Sequence, residues 1–342
     1  AYSLALRYYM RLQAKEPSIA EQGIKKIAND PGKYPLILNS SDDANISFIG
    51  SAKENSNPLN TVYDTDPSGA YMRVKMAVTF VDSLQKYDHP RLAVWANKIQ
   101  TPLVLVEGTG VDRVVNGKRE VSQDVVTKFE TDNTMPVDFD QDYAGVTISH
   151  PKVQIFNMNT ANPAQGTINP HASHLNDRYK KTADPLVLMR LISAAEVNFI
   201  LAEAAYRGWI SGAENYYTAG IQQSFNAWGV GSEYSNYITR APYKGLASIM
   251  EQKWLASWST AHESWFDWRR TGMPVLKPGE SAKRQALPLR YYYHYTNEIS
   301  KNPDNAATAI GKLQLTSFQS GDQSNNSAWS KMWLLQGTGK PY

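Results

Sequence analysis

Two helices joined by a glycine turn constrain this chain more than any other feature. Residues 193–207 hold tightly packed small and large apolar residues: Ala195, Val197, Phe199, Ile200, Ala202 and Ala204. Gly208-Trp209-Ile210-Ser211-Gly212 then turns the chain. Residues 213–228 place Tyr217, Ile221, Phe225 and Trp228 at i, i+4, i+8 and i+11, one face of a helix. Two antiparallel helices with so short a connection make a hairpin of the tetratricopeptide kind. A fold built on such hairpins, an alpha-alpha superhelix, is mainly α.

The flanks repeat the theme. Leu4, Ala5, Tyr8 and Leu12 recur at helical spacing, which predicts a helix over 3–14, closed by Lys15-Glu16-Pro17. A second helix is expected over 18–28. Ser18 would be its N-cap, with Glu21 three residues on at the capping-box position, and Asn29-Asp30-Pro31-Gly32 would stop it. Helices near 245–258 and 261–270 carry Met250, Trp254, Trp258, Trp265 and Trp268. Between these flanks the character changes. Asn39-Ser40-Ser41-Asp42-Asp43, Asn55-Ser56-Asn57-Pro58, Asp66-Pro67-Ser68-Gly69 and Asn162-Pro163 punctuate residues 31–185. One helix is expected there, over 70–86, with Val74, Ala77, Val78, Val81 and Leu84 on one face. The runs 103–106 and 153–156 read as short strands, and strand content should be minor and mostly within 95–160. The whole, 1–342, reads as one domain: helices over 1–30, a loop-rich insertion with minor β structure over 31–190, and a helical scaffold and irregular tail over 191–342. A long, loosely patterned stretch inside a compact domain is where binding groups are expected.

The opening residues already read as mid-helix, so an earlier part of the protein, with any signal peptide or lipid anchor, is expected to be missing. Net charge is +3 from 35 basic and 32 acidic residues, interspersed, and no basic stripe points to nucleic acid. Cysteine is absent, which removes disulfides, thiolate metal sites and a thiol nucleophile. No apolar run approaches the roughly 18–20 residues of a membrane span. There is no phosphate-binding glycine loop and no Gly-x-Ser-x-Gly elbow. His171 and His174 are spaced for one helical turn, but Pro170 and Asn176 make the region a loop and nothing nearby completes a metal-ligand set. Asp138, Asp140 and Asp142 resemble the opening of a calcium loop. Tyr143 and Ser149, however, stand where its glycine and final acid belong, so a solvated acidic turn is expected. No catalytic residue, metal or cofactor is assigned. The supply of 20 Tyr and 9 Trp against 9 Phe is the one compositional pointer to function. Such rings have an apolar face and a polar handle; they stack on sugars, but large helical repeats use them more often as core wedges.

Five blocks, in order, resemble the SusD/RagB family of bacterial outer-membrane nutrient-binding lipoproteins. Residues 3–12, Ser-Leu-Ala-Leu-Arg-Tyr-Tyr-Met-Arg-Leu, are similar to the family's "LRLRLAMRLS"-like helix. His89-Pro90-Arg91-Leu92 is similar to its "DPRL" block, with His89 for the usual Asp. Residues 195–204 resemble "AEVxFILAEA", and Gln252-Lys253-Trp254 with residues 265–272 resemble "QKW … WxxWRRTG". Pro288-Leu289-Arg290-Tyr291 through Asn297, Glu298 and Asn302 resembles "PxRxxYPxxExxxN". The resemblance implies non-catalytic capture of oligosaccharides or polysaccharides at the cell surface, on a SusD-like fold. It also implies delivery to a TonB-dependent outer-membrane transporter, and attachment to the membrane only through a lipid anchor absent from these residues. Peptide capture within the same family, a helical interaction scaffold and a hydrolase are the alternatives. The matching blocks mark scaffold: Arg269 or Arg270 should pair with Glu196, Glu203 or Glu263 in a buried setting, and the tryptophans of 254–268 should be core. Ligand contacts are expected in the loop-rich part. Tyr63, Tyr71, Trp95, Tyr143 and Tyr179 would be platforms there, with Asn157, Asn169 and Arg178 as polar neighbours.

Overall fold

A computed structural model describes residues 1–66, 69–160, 169–322 and 324–342. The turn signals at Pro67-Ser68 and Asn162-Pro163 lie outside the described residues. Helix α1 (Tyr2–Leu12) and helix α2 (Pro17–Ala28) pack together. The expected capping box does not form at α2. Pro17 takes the first helical position, Glu16 caps without a side-chain bond, and Glu21 instead pairs with Lys25 one turn on. Proline is pre-set for that position and lacks the N–H a cap would satisfy, so the helix starts one residue early.

The loop-rich part departs further from expectation. Residues 70–86 form no single helix. One turn, α3 (Ala70–Arg73), gives way at Val74 to extended chain, and α4 (Val78–Gln85) follows. The backbone between them bonds elsewhere: Met76 N–H donates to Ser173 O at 3.1 Å and Met76 O accepts from Val146 N at 2.8 Å. These long-range bonds, with Met76 buried, outweigh a helical pattern that held only four or five apolar positions. Another turn, α5 (Leu92–Trp95), follows the His89-Pro90-Arg91 block.

Strand β1 (Ala44–Ile46) pairs antiparallel with the later β5 (Met189–Ile192), outside the expected 95–160 window. A three-stranded sheet joins β2 (Leu103–Val106), parallel to β4 (Lys118–Ser122), with β3 (Asp112–Val115) antiparallel on the other side of β4. Asn116 and Gly117 turn the β3–β4 hairpin, both at positive φ (50° and 75°), the preference of a two-residue hairpin turn. The expected strand at 153–156 is a 3₁₀ segment, Val153–Met158. Helix α6 (Gln123–Asn133) was not anticipated.

Helix α7 (Ala194–Tyr206) is the centre of the molecule, with every residue from Ala194 to Ala204 buried. Ser193 caps it, its side chain accepting from Glu196 N–H at 3.2 Å. One side of α7, through Val197, Ile200, Leu201 and Ala204, meets Leu6, Met10, Ile24 and Ile27 of α1 and α2. The other, through Ala195, Phe199 and Ala202, meets Tyr217, Ile221 and Phe225 of α8 (Ala213–Ala227) and Ile249 and Met250 of α10 (Leu246–Ala256). The one-turn α9 (Tyr234–Tyr237) adds Tyr237 to this core. Gly220 lets α8 close on the Phe199 ring, where a Cβ would stand 2.9 Å from it. Each large apolar side chain so buried contributes roughly 1.5–3 kcal/mol. Helices α11 (Ala261–Thr271) and α12 (Pro303–Gly311) complete the set. The architecture is mainly α with minor β structure, as the hairpin pattern required.

Buried charges tie the helices together. Arg270 grips Glu203 with both terminal nitrogens, at 2.5 and 2.7 Å, and Asp267 at 2.7 Å. Lys253 closes on Asp267 at 2.7 Å and Arg207 on Glu203 at 2.7 Å. Burial alone would raise the Asp267 pKa, but Lys253 and Arg270 hold it down to about 2. Arg7 holds Glu196 at 2.6 Å, and Arg11 pairs with Glu263. These pairs bolt α1, α7, α10 and α11 to one another. The scaffold reading of Arg270 and the three glutamates stands. Arg269 is different: it has no carboxylate partner among the described residues.

Candidate functional site

The loop aromatics are mostly not on the surface. Tyr71, Trp95 and Tyr179 lie in one core cluster with Met76, Val81, Leu84 and Leu175. Trp95 stacks on Trp258 at 5.2 Å, Tyr71 donates its hydroxyl to Leu175 O at 2.5 Å, and Tyr179 accepts from Trp258 Nε1–H at 2.7 Å. A stretch poor in helix still has to bury apolar area, and here its largest rings do so. None of the three offers a face to a ligand in this structure. Asn157 and Asn169 are buried bracing groups. Asn157 accepts from Asp138 N–H at 2.8 Å and donates to His171 O at 3.0 Å; Asn169 donates to Phe156 O at 2.9 Å. Arg178, half-buried, pairs with Asp184 at 3.2 Å. Tyr63 alone of the set is exposed, at 40%.

Tyr143, half-buried, lines an open groove of about 620 Å3 with Gln85, Asp88, Lys98, Asp140 and Asp142. The acidic turn beside it is a chain of backbone-capping carboxylates. Asp138 accepts from Asp140 N–H at 2.8 Å, and Asp140 from Asp142 and Tyr143 N–H at 2.7 and 2.8 Å. His171 and His174 donate to the carbonyls of Thr101 and Asn169 at 2.6 and 3.0 Å. Among the described residues no group of three or more acidic or histidine side chains stands together as a metal set.

A second groove, of about 500 Å3, gathers aromatic faces. It lies where the tail returns over α11, and its walls are Trp265, Tyr291, Tyr292 and Trp329. Both indoles are pinned by their N–H to one short run of chain, Trp265 to Pro288 O at 2.9 Å and Trp329 to Ala286 O at 2.8 Å. That run is itself fastened. Leu289 N–H donates to Ala328 O at 2.7 Å, and Arg269 reaches Leu289 O at 2.7 Å. The Asn326 amide clamps Tyr293 from both sides, accepting from its N–H and donating to its carbonyl, each at 2.8 Å. Between these fixed points Tyr291 and Tyr292 stand out into solvent, 85% and 57% exposed. The Tyr291 ring meets Trp265 at 5.5 Å and 70°, so the two faces form a corner.

Polar groups rim the corner. Arg284 lies over the Trp329 ring at 4.0 Å and donates to Asp322 at 2.6 Å; that bond, with Ser327, holds the Asp322 carboxyl below its usual pKa. Lys283 is exposed beside it. Fixed aromatic faces with a few convergent donors and acceptors suit the apolar C–H side and the hydroxyls of a sugar.

Sequence reasoning passed over this groove. It placed Trp254, Trp258, Trp265 and Trp268 in the core; Trp268 is buried, and the other three pack against the core from partly buried positions. Trp254, Trp258 and Trp265 are half-buried and line an adjoining cleft of about 280 Å3 with Phe80. The signal available was Tyr291-Tyr292-Tyr293 after Pro288, three large rings in a row that no single buried face can take.

Comparison with known proteins adds context to this geometry. A family model for SusD-like proteins, described as starch-binding and associating with the outer membrane, matches residues 1–294. Among solved structures, the chain is similar to a chitin-binding protein (20% identity, TM-score 0.66, 97% of this chain and 63% of that one). It is also similar to a SusD homologue from Bacteroides vulgatus (21%, 0.65, 98% and 62%) and to a chitin-binding SusD homologue from Flavobacterium johnsoniae (19%, 0.64, 98% and 62%). The chain thus spans a little under two-thirds of their length, and at this identity the likeness is one of fold. The search of curated proteins gave no match.

Proposed function

The chain belongs to the SusD-like family, and from that premise we propose that it captures oligosaccharides at the bacterial surface in the aromatic groove over α11. The observation that carries the reading is the exposed Tyr291–Tyr292 platform, cornered against Trp265 and held by fixed backbone. The family's description as starch-binding and the chitin-binding relatives support a glycan ligand. Stacking contributes roughly 1–3 kcal/mol per well-placed ring, by analogy with nucleobases. In an open, wet site this gives dissociation constants of roughly micromolar to millimolar.

The protein acts by binding, not by hydrolysis. Paired-carboxylate cleavage needs a protonated acid opposite a second carboxylate. Among the described residues the groove's walls carry a single carboxylate, Asp322, and Arg284 favours its ionised form. Delivery of the bound sugar to a TonB-dependent outer-membrane transporter is part of the same proposal, as is surface attachment through a lipid anchor outside these residues. Among the described residues no helix is long and apolar enough to cross a membrane.

The test is a titration of the purified protein with chito-, malto- and other oligosaccharides, and with peptides, following tryptophan emission from Trp265 and Trp329. Saturable change with a glycan and no reducing sugar released is the expected result. Response to peptides alone, or release of reducing ends, overturns the reading.

A further inference from the structure

A smaller cavity, of about 100 Å3, is lined from α11 by Phe266, Arg269 and Arg270. Three arginines line it, Arg11, Arg269 and Arg270, together with apolar groups that include Ala14, Phe266 and Met332. The acids around it are already engaged: Glu263 by Arg7 and Arg11, Glu203 and Asp267 by Arg270. Arg269 is the cation left over. It is only 6% exposed, donates to Leu289 O and touches Met332 Sδ at 3.8 Å, and is flanked by the Trp265 and Phe266 rings at 4.3 and 4.7 Å. No carboxylate reaches it among the described residues.

A buried charge without a counter-charge is costly, and ring faces offset only part of that cost. A second observation concerns donors. Ten buried side-chain nitrogen or oxygen atoms have no hydrogen-bond partner among the described residues; six are arginine Nε atoms, and three of those belong to these same arginines. With the uncompensated charge of Arg269, unanswered donors on all three lining arginines call for an acceptor that carries negative charge. On this measure about 10–15 Å3 holds one water, so the cavity has room for a halide or a carboxylate group. Water would satisfy the donors but leave the charge of Arg269 uncompensated. In keeping with this, burial, with Arg11 beside it, brings the Arg269 pKa down to about 10.

We propose that this cavity binds a small monovalent anion, a halide or a carboxylate group, on Arg269 with Arg11 and Arg270 around it. Arg269 also fastens the groove's backbone at Leu289 O and lies against Trp265, but the existence of the anion site does not depend on what that groove binds.

Thermal unfolding of the purified chain in sodium chloride, bromide or acetate at fixed ionic strength reads the site. Wild type should gain a saturable rise in Tm of roughly 1–4 °C from at least one of them. Chloride and bromide acting alone would assign a halide, and acetate acting with them the broader carboxylate chemistry. Ala14→Leu fills the cavity without replacing an arginine, and it should remove the rise. Arg269→Met should remove it too; if that variant fails to fold, the Ala14→Leu comparison still decides. Crystals grown in bromide should show one anomalous peak within contact of Arg269. No anion-specific rise in wild type, an undiminished rise in folded Ala14→Leu, or water alone in the cavity in bromide overturns the proposal.

Discussion

Arg91 is wholly buried and its nearest polar partners are His89 and Ser224. His89 faces two donors: Arg91 N–H at 3.2 Å on Nδ1 and Arg91 Nη2 at 2.9 Å on Nε2. A neutral imidazole can accept at one nitrogen only, whereas a carboxylate can accept both. His89→Asp, which restores the residue usual in the family block, should therefore raise stability by about 1–3 kcal/mol in chemical denaturation; a loss would refute the frustrated pairing. The same site predicts a pH dependence. Burial first, then the charges of Arg91 and Arg240, hold the His89 pKa well below 6.5; burial and Lys75 bring His174 to about 4. The unfolded chain takes up these protons near pH 6.5, the folded chain only well below it, so stability should fall as pH drops from about 6.5 toward 4. Asp43, raised by burial to about 6, works the other way over the lower part of that range, as do Asp82 and Asp138, which burial also raises. His171, lowered by burial, adds to the decline, as do Glu203 and Asp267, which burial would raise but their cationic partners hold down. Melting temperatures from pH 7.5 to 4.5 should decline, and a flat profile would exclude the account. For Arg270, bidentate on Glu203 and also holding Asp267, replacement by Ala breaks a buried network and leaves each carboxylate one cation, Arg207 or Lys253. A loss of roughly 3–5 kcal/mol is expected in urea unfolding.

Elements were legible in proportion to how locally they are determined. The hairpin of α7 and α8 could be read because both its pattern and its turn lie within thirty-odd consecutive residues. The break between α3 and α4 could not, because its cause is Ser173 and Val146, far along the chain. The β3–β4 hairpin carried its own sign, Asn116-Gly117, and was overlooked because its strands are short and β3 is exposed throughout. One contact tests the break directly. A Cβ on Gly145 would run into the backbone of Val78, where the extended 74–77 chain pairs with Val146. Gly145→Ala should cost about 1–3 kcal/mol, as overpacking does, and should increase hydrogen exchange at Val78 and Val146. Unchanged exchange would mean that the pairing tolerates separation.

At the scale of the molecule, a helical body carries the proposed binding surface, formed where the tail folds back over α11. The body was readable from periodicity and the family blocks. The surface was not, since Trp265, Tyr291 and Trp329 meet only through backbone bonds between Pro288, Ala286 and Ala328 that no local pattern records. The prior expectation placed ligand contacts on Tyr71, Trp95 and Tyr179, which the fold spends on its interior. The two sets of residues separate cleanly in experiment, because exposed rings contribute little to stability and buried ones a great deal. Calorimetric titration of a glycan that binds wild type into the Tyr291→Ala/Tyr292→Ala double variant is the direct test of the groove. Affinity should fall about tenfold or more with the melting temperature unchanged. Wild-type affinity in that folded variant would contradict the placement of the site.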